Sequence, residues 1–166
     1  TTIGTEPEIQ QITVPVESEE QVPIEQFLTI ALVSLRTLYL VHQNAHWETK
    51  GSNFYSDHLM YERVYKSAAA DADALAERIV GQYGVQSLNF ALQGAYMAKC
   101  MAHAAQASNV VLRSIAAEEK AMAMISEAYY AINELTLGLD DLLMNISSHR
   151  EESLYLLKQR NANSTI

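Results

Sequence analysis

Apolar residues recur every three or four positions through most of this chain, the spacing of one helix face. Over residues 23 to about 50, Leu28, Leu32, Leu35, Tyr39, His42 and His46 form one stripe, apolar until its final turns, where it becomes imidazole. Pro23 suits a first turn and Gly51 supplies the stop. A second helix runs from an Asn53 cap to about residue 81, broken by Gly81 and Gly84. Residues 87 to 99 pattern as a short helix. A third long helix starts at a Ser108 cap, carries Val111, Ile115, Met122, Ile125, Tyr129 and Ile132, and ends at Gly138. The fourth holds Leu139, Leu142, Leu143, Ile146, Leu154 and Leu157 and frays near Asn161. No proline follows Pro23, and alanine and leucine abound, so the fold class is all-α. Four long helices with one interrupted connection predict a four-helix bundle over residues 23–161. Residues 1–22 read as an acidic arm, extended or partly disordered, that Ile12, Val14 and Val16 can pin to a neighbouring subunit, and 162–166 as a short tail.

The second helix and its approach concentrate metal-ligand chemistry in His46, His58, Glu62, Asp73 and Glu77. His58 and Glu62 are four residues apart, as are Asp73 and Glu77, so each pair shares a helix face. At about 100° per residue the four fall near 0°, 40°, 60° and 100°, a single stripe. Glu62 and Asp73 are nevertheless roughly 16 Å apart along the axis. Bonds to a small cation span only about 2.0–2.2 Å, so one straight helix cannot close a site with both pairs.

A second copy of the helix can. Laid antiparallel across a two-fold axis, the His58/Glu62 end of one meets the Asp73/Glu77 end of the other. Such an interface is self-complementary and carries two equivalent sites. The stripe's midpoint falls in the run Ser67, Ala68, Ala69, Ala70, whose small side chains would permit close approach.

His-Trp, a second His twelve residues after the first, an acid four later and then Asp-x-x-x-Glu-Arg together resemble the Dps-type miniferritins. The resemblance covers residues 23 to 161. It implies a ferritin-like four-helix bundle with a short extra helix between the second and third long helices, assembled as a twelve-subunit hollow shell. It implies a ferroxidase that binds ferrous iron between subunits, one or two ions per site, oxidises it with hydrogen peroxide or oxygen, and stores ferric mineral, limiting oxidative damage. By position, His46, His58 and Glu62 resemble the ligands from one subunit, and Asp73 and Glu77 those from its two-fold mate. Trp47 matches the family's tryptophan beside the site, a donor of electrons to stray oxidants; Tyr61 and Tyr65 are weaker candidates. Glu62 departs from the usual Asp by one methylene. Glu134, Asp140 and Asp141 lie where the family has acidic three-fold pores, although acids in a first helical turn are also ordinary surface charge.

Other residues read more plainly. His42 fits an outer-shell partner of His46 or a packing residue, and His103 and His149 lack comparable partners. The two Glu-x-x-His motifs of larger ferritins are missing, since the residue three after Glu119 is Met122 and the one three after Glu152 is Tyr155. This favours a site between subunits. Imidazole with carboxylate and no thiolate suits iron, although zinc or manganese can use the same donors.

The net charge of −9 opposes a general nucleic-acid partner. The arm contains Glu6, Glu8, Glu17, Glu19 and Glu20 without lysine or arginine, whereas DNA-binding members of the resembled family commonly use basic tails. A DNA-compacting nucleoid protein is thus disfavoured, and a non-catalytic helical cage is the other alternative. No stretch of eighteen uncharged apolar residues predicts a membrane span, and the first residues lack the order of a secretory signal. One cysteine, Cys100, forms no internal disulfide, compatible with a reducing cytoplasm.

Overall fold

Leu28, Leu32, Leu35 and Leu38 vanish from solvent along one side of the first helix, and the other long helices gather around them. The computed structural model describes residues 23–162. In order these form α1 (Ile24–Glu48), α2 (Phe54–Tyr83), a 3₁₀ turn (Val85–Ser87), α3 (Phe90–Ala104), α4 (Val110–Ala131) and α5 (Leu137–Asn161). No strand occurs among the described residues. α1 packs on α2 and α4, α5 packs on α4 and α2, and α3 crosses α1 in the α2–α4 connection. This is the all-α bundle with an added short helix that periodicity and resemblance imply. The arm at 1–22 and most of the tail, 163–166, lie outside the described residues.

Several boundaries differ from the sequence reading. Gly81 lies within α2, and Gly84 alone ends it, at a φ of 87° that a side chain rarely adopts. Asn53 precedes α2 without a side-chain cap bond. Asn109, not Ser108, caps α4 by accepting from the Leu112 amide at 2.8 Å. Gly138 does not end α4; it sits in the first turn of α5, which Thr136 caps.

The inward face of α4 is also not the stripe of large apolar residues. Ser114, Glu118, Ala121, Ile125 and Ala128 point inward, while Val111, Ile115, Met122 and Tyr129 lie half-buried on the flanks. Small residues let α4 approach α1, and Glu118 belongs to a polar layer that splits the core. On one side lies the main cluster, from Leu28 to Ile146; on the other lie Ala45, Tyr61, Val64 and Leu157. Within the layer, His42 contacts Ser114 at 3.1 Å and Glu118 at 2.9 Å. Arg150 donates to Glu118 at 3.0 Å and to Ser67 at 2.6 Å, and lies 3.2 Å from Asp71. His42 is therefore a buried packing residue, one of the two roles its position allowed.

By length and composition α1 is apolar enough to cross a membrane, with a mean hydropathy of 1.4. Its apolar residues are nevertheless the bundle's interior: Leu28, Ala31, Leu35, Leu38 and Ala45 are all wholly buried.

Candidate metal centre

His46 is in the last turn of α1 and His58 in the second turn of α2, so the short turn between these helices brings them face to face. Thr49 and Gly51, the latter with φ of 83°, reverse the chain. The imidazoles stack with centroids 3.6 Å apart and planes 21° from parallel. Each ring also bonds to the other's backbone. His46 Nδ1 lies 2.8 Å from the His58 carbonyl oxygen, and His58 Nδ1 lies 3.1 Å from that of His46. A carbonyl only accepts, so both Nδ1 atoms carry hydrogen and donate. In a neutral ring, donation from Nδ1 selects the tautomer whose Nε2 offers a lone pair, the arrangement common to metal-binding imidazoles.

Aromatic neighbours hold the stack. Phe54 covers His58 with centroids 5.0 Å apart, and Tyr65 meets His46 edge-on at 5.3 Å. Tyr61 instead packs within the bundle beside Ala45, Val64 and Leu157. Burial, and next the charge of Asp57, push its hydroxyl up to about 12. Tyr65, not Tyr61, is the tyrosine touching a candidate ligand. Trp47 is 67% exposed.

Glu62 lies on the same side as the imidazoles, and its carboxylate is held by Lys66, four residues on. Its pKa is lowered, first by the hydrogen bond from Lys66 and then by that ammonium's charge, with smaller contributions from His46 and His58. Sequence reasoning missed Lys66, although a Glu–Lys pair at this spacing is a recognisable signal.

Asp73 and Glu77 are exposed farther along α2. Asp73 borders a hollow of about 650 Å³ between α1, α2 and α3, where Leu32, Tyr39, Ala69, Ala76 and Phe90 make a largely apolar wall. On a helical projection the inward residues of α2, from Tyr61 to Ile79, centre about 140° from the stripe His58, Glu62, Asp73, Glu77. The carboxylate pair thus lies off the core-facing side of α2, with Asp73 at the edge of that hollow. The small-residue run divides similarly: Ala68 is wholly buried in its own core and Ser67 accepts from Arg150, leaving Ala69 and Ala70 on the stripe's side. Among the described residues no group of three or more His, Cys, Asp or Glu is placed to hold a metal ion.

The acids at the other end stand apart from this centre. Glu134 is exposed in the α4–α5 connection. Asp140 lies beside the Tyr129 hydroxyl and raises its pKa by hydrogen bonding and then by charge. Asp141 accepts from Asn145 at 3.1 Å.

Comparison with known proteins agrees with this architecture. No family model matches the chain. A DNA protection during starvation protein of Porphyromonas gingivalis is 28% identical over 147 residues, covering 84% of this chain and 89% of that protein. A nutrient stress-induced DNA-binding protein of Nostoc sp. is 31% identical over 68 residues, 41% of this chain and 37% of its own. A DNA protection during starvation protein of Brevibacillus brevis is 40% identical over 43 residues. The chain thus spans about a third of the Nostoc relative and 29% of the Brevibacillus one. Among solved structures, Dps from Microbacterium arborescens in the high iron form superposes with a TM-score of 0.68 at 22% identity, covering 84% of this chain and 93% of that one. DpsC from Streptomyces coelicolor also reaches 0.68, at 17% identity over 100% of this chain and 99% of its own.

Helix order and the added short helix define an all-α four-helix bundle of the fold seen in these Dps structures. Sequence likeness over 84% of the chain and the shared fold agree: the chain is similar to the Dps proteins and adopts their fold.

Proposed function

We propose that this protein is a ferroxidase and iron store whose ferrous substrate binds between two subunits. The observation that carries the reading is the reciprocal bonding of stacked His46 and His58 through Nδ1, which leaves both Nε2 atoms for a metal ion. Glu62 adds a carboxylate on the same side. The partner subunit's Asp73 and the partner subunit's Glu77 would supply the remaining oxygens, because the Asp73/Glu77 pair of each chain lies off the core-facing side of its own α2. The apolar hollow beside Asp73, with Phe90 83% exposed on its rim, gives a second copy an apolar surface to bury.

Nitrogen and carboxylate oxygen together accept both ferrous and ferric iron. With hydrogen peroxide as oxidant, two ferrous ions lose one electron each, the O–O bond breaks, and two protons are taken up to give two waters. Oxygen is the other oxidant compatible with the site. Consuming ferrous ion and peroxide together would limit radical formation. Trp47, exposed and next in chain to His46, would give electrons to stray oxidants. A dodecameric shell would hold the ferric product, with Glu134, Asp140 and Asp141 drawing cations to its entries. DNA is left out of this assignment, because the acidic arm and the charge of −9 oppose phosphate binding. A Dps-type protein of this kind would act in the cytoplasm, where ferrous iron and peroxide meet.

The test is ferrous oxidation by stoichiometric peroxide, followed by absorbance, in wild type and in His58→Ala with Asp73→Ala. The double variant is expected to fall to the buffer rate while light scattering reports an unchanged assembly. Oxidation at the wild-type rate in that variant would refute the site.

A further inference from the structure

A second groove, between α1, α3 and α4, encloses about 520 Å³ and differs in character from the hollow beside Asp73. Sites for small organic molecules commonly measure about 300–1,000 Å³. Alanines make the space. Ala104 at the end of α3, Ala107 just beyond it, and Ala116 and Ala117 of α4 all line the groove, and side chains this short leave the gap between the helices unfilled. Ala104, Ala107 and Ala117 are half-buried and Ala116 is exposed, so their methyl groups are open to an occupant.

The charge around this apolar floor has one sign. Lys99 and His103 of α3 and Lys120 of α4 line the groove and are exposed, with no carboxylate among the lining residues. In a chain of 20 acidic and 11 basic residues, such a gathering runs against the overall balance. Neither lysine makes an ion pair among the described residues; the Lys99 ammonium lies 5.8 Å from the centre of the Tyr96 ring. Ser34 and Thr37, also in the lining, donate to α1 carbonyls at 2.6 Å and 2.9 Å, so their hydroxyl hydrogens are already used. The donors left for an occupant are the two ammonium groups, the His103 imidazole and the Gln106 amide. A small inorganic anion would leave the methyl groups wet. A neutral hydrocarbon would strip water from the cations without pairing them. A carboxylate carried on a hydrocarbon body satisfies both parts.

We propose that this groove binds a free amphiphilic carboxylate of the fatty-acid class, its head among Lys99, His103 and Lys120 and its hydrocarbon along the alanines. The head accepts charge-assisted hydrogen bonds, and the tail withdraws apolar surface from water on both partners. An occupant ties α3 to α1 and α4, and so fastens the connection between α2 and α4 to the bundle. The groove shares no residue with the candidate metal centre, so the two assignments stand or fall separately.

Cys100, the only cysteine, is half-buried in the same lining and reports occupancy in the full-length protein. Octanoate, kept below its micelle concentration, should slow maleimide labelling of Cys100 in a saturable way. It should also raise Tm, as a ligand of the native state does. Octanol has the tail without the charge and citrate the charge without the tail, and each should protect far less. Lys99→Glu with Lys120→Glu, both at exposed positions, should raise the half-protecting octanoate concentration about three- to tenfold, the scale set by losing two partly exposed ion pairs. Labelling unaltered by octanoate would overturn the proposal, as would equal protection by octanol or by citrate. A fall in Tm, the mark of a denaturing detergent, would also count against it. Protection undiminished in the double lysine variant would overturn it too, by placing octanoate elsewhere.

Discussion

Arg150 and Glu118 meet at 3.0 Å with both side chains wholly removed from solvent. Glu118 also contacts His42, and Arg150 lies against Ser67 and Asp71, so the pair ties all four long helices together at one level. Breaking a buried pair leaves the surviving charge desolvated and uncompensated. Arg150→Met is expected to lower unfolding stability by about 3–5 kcal/mol. Glu118→Gln combined with Arg150→Met should lose less than the two single losses added. Urea denaturation of all three variants measures this, and strict additivity would deny the coupling.

Arg160, at the end of α5, grips Asp57 through Nε at 2.6 Å and through a terminal nitrogen at 3.0 Å. Asp57 immediately precedes His58, so the end of the bundle's last helix steadies the start of the helix bearing a candidate ligand. The arginine is 37% exposed, which screens the pair. Arg160→Gln should cost about 1 kcal/mol in stability and weaken ferrous binding several-fold. Calorimetric melting and anaerobic titration check the two effects, and Arg160→Lys should restore less than half of the loss because it cannot grip both oxygens.

A site shared between subunits can be rebuilt from two damaged chains. Subunits with His46→Ala and His58→Ala, and separately those with Asp73→Ala and Glu77→Ala, should each assemble into shells without ferroxidase activity. Unfolded, mixed equally and refolded, they should recover about a quarter of wild-type activity, since half the dimers pair unlike chains and each such dimer keeps one intact site. Any activity limited to one parent alone, with no gain on mixing, counts against shared ligation.

Lys66 occupies the carboxylate that iron would need. At the proposed site a ferrous ion would have to displace this ammonium from Glu62, so Lys66→Met is expected to tighten ferrous binding about two- to fivefold and to flatten its dependence on salt. Competition with a coloured chelator at low and high ionic strength gives both quantities. Unchanged affinity would mean that the ion pair opens without cost.

The chain's local chemistry determined much of this protein. Helical spacing of apolar residues, the lack of proline after Pro23 and the glycines at 51 and 84 specify four long helices, because these preferences act within a few residues. Donor types and spacing likewise pick out His46, His58, Glu62, Asp73 and Glu77 as candidates without coordinates. Tertiary packing decided the rest. It turned Ser114, Glu118 and Ala121 inward in place of the bulkier residues of α4, because close helix approach rewards small side chains and a buried arginine requires a partner. It also joined His46 to His58 across the α1–α2 turn and left Asp73 exposed at the edge of the hollow between α1, α2 and α3. Which Nε2 atoms are free and which carboxylates lack a neighbour depends on contacts between distant segments, and no periodicity along one strand of sequence encodes those.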